Sequence, residues 1–387
     1  MTERQPIYLD YNATTPLDPG VVEAMAPYLT ERFGNPSSAH AYGRAAHEAL
    51  ERARGEVAGM LGAAPEEIVF TSGGSEASNH AIKGVVFRAL EKGLPGDVHV
   101  VTSAVEHPAT LEPCAFLERL GVRITRLPVD RSGVVDLDAL RRALDQPTLL
   151  VSVMHAQNEV GTLQPIQEIG RLAHERGALV HTDAAQSAGK IPVAVDALGV
   201  DLLTVAGHKL YAPKGVGALY VRDGLALEPL IHGAGHEGGR RAGTENVPYA
   251  VALGAACEIA RRSMPASTER LRALRDRLWS GLHRALGDRV VVNGHPERRL
   301  PNTLNVNFVG WIGAELLDAI PEIAASTGSA CHEGDIQLSP VLAAMGVQPE
   351  LGRGAIRLSV GRFTTNDEID RACAALVATA RGKAHAR

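Results

Sequence analysis

Aromatic residues make up only 4% of this 387-residue chain, and cysteine occurs four times. So few aromatics leave little for nucleic-acid bases to stack on. The net charge of −5, with acids and bases interspersed, offers no basic stripe for a phosphate backbone. A direct nucleic-acid partner is therefore not expected. Cys114, Cys257, Cys331 and Cys373 are too few and too scattered for a disulfide framework or a zinc knuckle. Histidines are more plentiful, yet none shows the i, i+4 pair with a glutamate found in zinc enzymes, so no metal is expected. No run of about 18 apolar residues occurs, which argues against a membrane partner. Residues 1–6 are polar and lack an apolar signal core, and a cytoplasmic location is the expectation.

What the chain does have is alternation. From residue 66 to 260, short apolar runs alternate with helical patterns, as in an α/β sheet covered on both faces. The run 68–71 leads into Ser72-Gly73-Gly74-Ser75 and a helix over 76–90. The run 98–101 leads to Glu106 and His107, and 149–153 leads to His155 through Asn158. The run 178–182 ends in Asp183, and 200–205 is followed by His208 and Lys209. Polar residues thus gather just beyond strand ends, where open α/β sheets bind ligands. A long helical pattern over 247–286 leads to a smaller α+β unit with runs at 290–292, 303–308 and 356–360. The expected division is a large domain over 15–262 and a smaller one built from 1–14 and 263–387.

Lys209 and Asp183 carry the most chemistry. An amine and a carboxylate at the ends of neighbouring strands are what pyridoxal 5′-phosphate (PLP) needs: the lysine forms a Schiff base and the acid faces the pyridinium nitrogen. Ser72-Gly73-Gly74-Ser75 at a helix start is a natural phosphate cradle, with small residues, free N–H groups and the helix dipole. Alone it would be as well read as a plain N-cap turn. His208 is a further candidate phosphate donor, and His107 could lie over a planar ring and shuttle protons. Cys331 sits in a small-residue loop beside His332, which favours its thiolate, and is the best nucleophile candidate among the four cysteines.

Taken together, these segments resemble the cysteine desulfurases of the NifS/IscS-like kind, in the fold-type I PLP superfamily. The matching stretches include Tyr8-Leu9-Asp10-Tyr11-Asn12-Ala13-Thr14-Thr15-Pro16, Thr71-Ser72-Gly73-Gly74-Ser75-Glu76, Glu106-His107, His155-Ala156-Gln157-Asn158, His181-Thr182-Asp183-Ala184-Ala185-Gln186, Gly207-His208-Lys209, Arg241-Ala242-Gly243-Thr244 and Gly328-Ser329-Ala330-Cys331. The resemblance implies a large domain with a mostly parallel sheet plus a smaller α+β domain. It also implies that Lys209 holds PLP, Asp183 pairs with its ring nitrogen, Gln186 bonds the ring hydroxyl and His107 stacks on the ring. Gly74, Ser75 and His208 would hold the phosphate, with Thr244 reaching it from the partner of a homodimer. Asn158 would sit by the ring, Asn35 and Arg357 would take the substrate carboxylate, and Cys331 would carry a persulfide.

The activity so implied converts L-cysteine to L-alanine and passes sulfur to an acceptor protein. Alternatives are a selenocysteine lyase, which the 240–246 and 339–342 segments also resemble, another PLP-dependent β-lyase or aminotransferase, and a non-catalytic sulfur carrier. Ala206 departs from the pattern: many members of the family have a phosphate-binding serine there.

Overall fold

Two-residue alternation along the strands gives the principal sheet two apolar faces. In this computed structural model, residues 6–382 are described except 92, 94, 328–330, 333, 334 and 337; for 331, 332, 335 and 336 only the backbone is described. The strands are, in chain order, β1 (Ile7–Tyr8), β2 (Ile68–Thr71), β3 (His99–Ser103), β4 (Arg123–Leu127), β5 (Leu150–Ser152), β6 (Leu179–Asp183), β7 (Leu202–Ala206) and β8 (Gly217–Val221). Then follow β9 (Val290–Asn293), β10 (Thr303–Phe308), β11 (Ile323–Ala324), β12 (Cys331–His332), β13 (Asp335–Ile336) and β14 (Ala355–Ser359).

The principal sheet has seven strands in the order β2-β8-β7-β6-β5-β3-β4. Neighbours from β7 through β4 run parallel, and β8 is antiparallel to both β7 and β2, so the sheet is mostly parallel as expected. Ile68 and Phe70 of β2 join one buried cluster with Val101, Val151, Val180 and Leu203. Val69 joins the opposite cluster with Val100, Leu150, Leu202 and Leu219. The helices Gly74–Leu90 and Pro108–Arg119 cover that second face, and Ala41–Leu61 with the first half of Val247–Leu286 covers the first. Asp136, Asn246 and Ser339 begin helices by accepting backbone N–H bonds, the usual work of such residues.

Strands β14-β10-β9 form a separate antiparallel sheet with its own apolar cluster of Val306, Phe308, Ile356, Leu278 and Leu376. The 40-residue Val247–Leu286 helix spans both clusters. β1 pairs in parallel with β11, and Asp10 bridges to Ser359, so the first described residues join this second body. Among the described residues no helix is long and apolar enough to cross a membrane.

Candidate active site

The parallel strands end on one cleft of ≈ 780 Å³, lined by residues from the loop after β5, from the ends of β6 and β7, from the Gly74 helix start and from segment 12–14. At one end Gly73 caps the Gly74–Leu90 helix with φ 151° and no side chain, which leaves the first N–H groups without an internal cap. A Cβ built on Gly74 would stand 3.1 Å from the Ala206 Cβ, so the cradle admits backbone approach only. Glu76 closes it from outside, accepting from Ser72 N at 2.7 Å and Arg241 Nε at 3.0 Å. His208 lines the same cleft, with Nδ1 3.2 Å from Thr14 Oγ1, and burial holds its pKa down to about 4.

Lys209 stands at the centre. β7 ends at Ala206, a short 3₁₀ turn follows over Gly207–Lys209, and Tyr211 then takes a left-handed φ of 65°. Segment 12–15 is laced to this turn: Thr15 N and Oγ1 both donate to His208 O, and Tyr211 N donates to Thr15 Oγ1. The Lys209 Nζ donates to the backbone carbonyls of Asn12 and Ala13, each at 2.6 Å. Burial, with Arg357 adding to it, lowers its pKa to about 8, against the opposing pull of Asp10 and Asp183.

Asp183 closes β6 and is 7% exposed; its Oδ1 accepts from Ala185 N at 2.8 Å. Burial raises its pKa, while His107 and Lys209 oppose that shift. His107 caps the Pro108–Arg119 helix, its Nδ1 accepting from Ala109 N at 3.1 Å, and its ring stands at the cleft mouth. Burial among the cleft walls lowers its pKa, which favours a neutral imidazole. Next to it, Glu106 accepts from Ser103 Oγ at 2.6 Å and Met154 N at 3.0 Å and fixes the strand ends on either side. Burial raises that carboxyl to about 8.

Gln186 and Asn158 also line the cleft. The Gln186 Nε2 donates to Asn12 O at 2.9 Å, and the Asn158 carbonyl accepts from Asn12 Nδ2 and Arg357 Nη1. Arg357 enters from β14, and its Nη2 donates to Asp10 Oδ1 at 2.8 Å. Its buried Nε has no partner among the described residues and remains able to donate.

Eleven residues singled out from the sequence are thus placed, and nine meet: Gly74, Ser75, His107, Asn158, Asp183, Gln186, His208, Lys209 and Arg357 line one cleft. Asn35 does not join them in this chain. It is exposed, and its Oδ1 accepts from Ser37 N at 2.9 Å in a local turn of its own loop. Thr244 lines a different cavity, of ≈ 250 Å³, with Arg241 and Glu245. The Cys331 side chain lies outside the described residues. Sequence reasoning missed Asn12, Asp10, Glu106 and Lys190, although Asp10 and Asn12 stand inside a stretch that carried the resemblance.

The family model for aminotransferase class-V matches residues 7–372. The chain belongs to the class-V aminotransferases. A cysteine desulfurase IscS of Dictyoglomus turgidum is 49% identical over 95% of this chain and 92% of its own length. A solved NifS-like protein superposes with a TM-score of 0.89 at 39% identity, covering 97% of this chain and 99% of that one. SspA, solved in complex with cysteine, gives 0.80 at 38% identity over 92% of this chain and 99% of its own. This aminotransferase-family chain therefore falls within the cysteine desulfurases, a PLP-dependent group.

The residues present fit that cofactor. The uncapped helix start and side-chain-free Gly73 and Gly74 suit a phosphate dianion. Lys209, with its lowered pKa, suits an aldehyde carbon, and buried Asp183 suits a protonated ring nitrogen.

Proposed function

We propose that this PLP-dependent cysteine desulfurase takes sulfur from L-cysteine, releases L-alanine and holds the sulfur as a persulfide on Cys331 for an acceptor protein. The observation that carries this reading is the convergence of Lys209, Asp183 and the Gly73-Gly74 helix start in one cleft. Bound there, PLP supplies an electron sink for a carbanion at the substrate Cα. Lys209 is the base: with a pKa of about 8, an appreciable fraction of its amine is unprotonated near neutrality. After it takes the Cα proton, the Asn12 and Ala13 carbonyls accept its N–H groups and hold the ammonium in place.

Asp183 would hold a protonated ring nitrogen, whose charge would in turn draw the buried carboxyl to its ionised form. Arg357, steadied by Asp10 and the Asn158 carbonyl, presents its remaining donors to the substrate carboxylate. The Cys331 thiolate attacks the substrate sulfur: an S–S bond forms as the carbon–sulfur bond breaks. The electron pair left on carbon takes a proton, and the neutral His107 imidazole at the cleft mouth is the carrier for protons to and from the leaving group. Residues 1–14 and 263–387 act as the smaller domain that presents Cys331.

Thr244 does not line its own chain's cleft but an adjoining cavity that shares Ser72, Gly215 and Val216 with it, a placement that suits a homodimer in which Thr244 reaches the partner's site. The test is product analysis with isotopically labelled cysteine. Labelled alanine and a persulfide mapped by mass spectrometry to Cys331 are expected. Full alanine and sulfide production by Cys331→Ser under a physiological thiol would overturn the assignment of the nucleophile.

A further inference from the structure

One buried lysine takes no part in these steps. Gly189 turns the chain with φ 74°, and any Cβ there would strike the Leu210 side chain at 2.0 Å. Lys190, next in sequence, runs back into the interior and is 7% exposed. Its carbonyl accepts from Thr268 Oγ1 at 2.7 Å, and its Nζ donates to Gln186 Oε1 at 2.9 Å. Among the described residues Gln186 is the sole hydrogen-bond partner of that ammonium, and no carboxylate pairs with it. Lys209 and Arg357 repel it from the cleft side, and Arg270 and Arg362 line the small cavity beside it with Tyr11 and Tyr211. A buried cation without a counter-ion costs stability, so packing alone does not explain it.

Its one partner does. An ammonium can only donate, whereas an amide has a donor end and an acceptor end. With Oε1 taken by Lys190, the Gln186 amide must turn Nε2 toward the cleft side, where Nε2 now meets Asn12 O at 2.9 Å. The same Asn12 carbonyl accepts from Lys209. Without Lys190 the amide could flip and present an acceptor to the cofactor.

We propose that Lys190 is a positioning residue: it fixes Gln186 with its N–H₂ toward the ring oxygen of the cofactor, and its charge one side chain behind favours that oxygen as an anion. This rests on the cofactor reading. Burial, with Lys209 and Arg357 adding to it, lowers the Lys190 pKa to about 7, and an amine donates to Gln186 in either protonation state.

Lys190→Met removes both donor and charge with little change in length. The readout is the visible absorbance of bound cofactor titrated against pH in the purified holoenzyme. Loss of the cation makes the nitrogen joining Lys209 to the cofactor hold its proton more tightly, so the midpoint should rise by about 0.5–1 pH unit. Lys190→Gln, which keeps a donor without the charge, should shift it less. An unchanged midpoint in cofactor-loaded Lys190→Met overturns the proposal. If neither variant folds, the crystal structure of the wild-type holoenzyme decides. One end of the Gln186 amide on Nζ and the other on the ring oxygen supports the proposal, and an Nζ beyond hydrogen-bond reach of Gln186 overturns it. A wild-type protein with no cofactor absorbance would instead sink the cofactor reading, so the two failures are distinct.

Discussion

Restoring a hydroxyl at position 206 should tighten cofactor binding. Ala206 closes β7, lines the cleft, and faces the first turn of the Gly74–Leu90 helix closely enough that a Cβ on Gly74 would stand 3.1 Å from its own. A serine hydroxyl there would share the cradle with the N–H groups of Gly74 and Ser75. A hydrogen bond to a charged partner contributes roughly 1.5–3 kcal/mol, and ordering and desolvating the hydroxyl offset part of it, leaving about 1 kcal/mol. That corresponds to roughly a five-fold lower dissociation constant for PLP in Ala206→Ser. Ala206→Val serves as the opposite control, because added methyl groups would intrude on the space that Gly73 and Gly74 keep open. The assay strips cofactor from each purified protein and titrates it back, following absorbance. Equal or weaker binding by Ala206→Ser would refute the argument that the helix start and the end of β7 form the phosphate cradle together.

Lys190 and Lys209, at about 7 and about 8, both lie below the ordinary lysine value of 10.5. Between these values and 10.5 the unfolded chain binds more protons than the folded one, so these groups make the cofactor-free protein gain stability as pH rises through about 7 to 10. Denaturant midpoints at several pH values should show this rise, and Lys190→Met should flatten it. The buried Arg54–Glu237 pair, 2.7 Å apart, gives a stability prediction: Glu237→Ala strands the guanidinium and should cost about 3 kcal/mol, at the lower end because Glu51 and Ile68 O still hold Arg54. A denaturant midpoint equal to the parent's would contradict it. Burial pushes the Cys114 thiol up to about 12 and raises Cys257 as well, so both should resist alkylation at pH 8 in the native protein. Mass mapping should find modification at Cys331 first, and early labelling of Cys114 would argue against that burial.

The elements that position the site were legible because each carries a local signal. β2 and β10 begin and end where their apolar runs do, and Gly62 stops the Ala41–Leu61 helix in the left-handed conformation with φ 67°. That helix starts at Ala41, because His40 caps it through Nδ1 and the preceding residues form a turn around Asn35. Lys209, Asp183 and the Gly73-Gly74 cradle were legible for the same reason: each lies at or just beyond a strand end. Lys190 was not, since a lysine after glycine reads as a solvated turn until the fold buries it. Glu106 was passed over beside His107 because its partners, Ser103 and Met154, come from two different strand ends.

Asn12 is the harder case, and it bears on how the site works. Its Nδ2 reaches Thr303 Oγ1 and Asn158 O, its Oδ1 accepts from Asn302 Nδ2, and its N–H meets Ser359 Oγ, so its side chain and amide tie segment 12–15 to β10, β14 and the loop after β5. Residues nearly 350 positions apart converge there, and no spacing in the sequence encodes that. The atom that faces Lys209 and Gln186 is its carbonyl oxygen, which every residue type possesses, so residue identity at position 12 announces nothing about that contact. A neutral oxygen is nonetheless the partner this lysine needs. It orients the amine without neutralising it, which leaves the basicity of Lys209 to burial and to the opposing pulls of Arg357, Asp10 and Asp183. A carboxylate at the same distance would hold Lys209 as an ammonium well above neutrality and deprive it of the role of base. The asparagine side chain therefore serves the chemistry by fixing where its own backbone points.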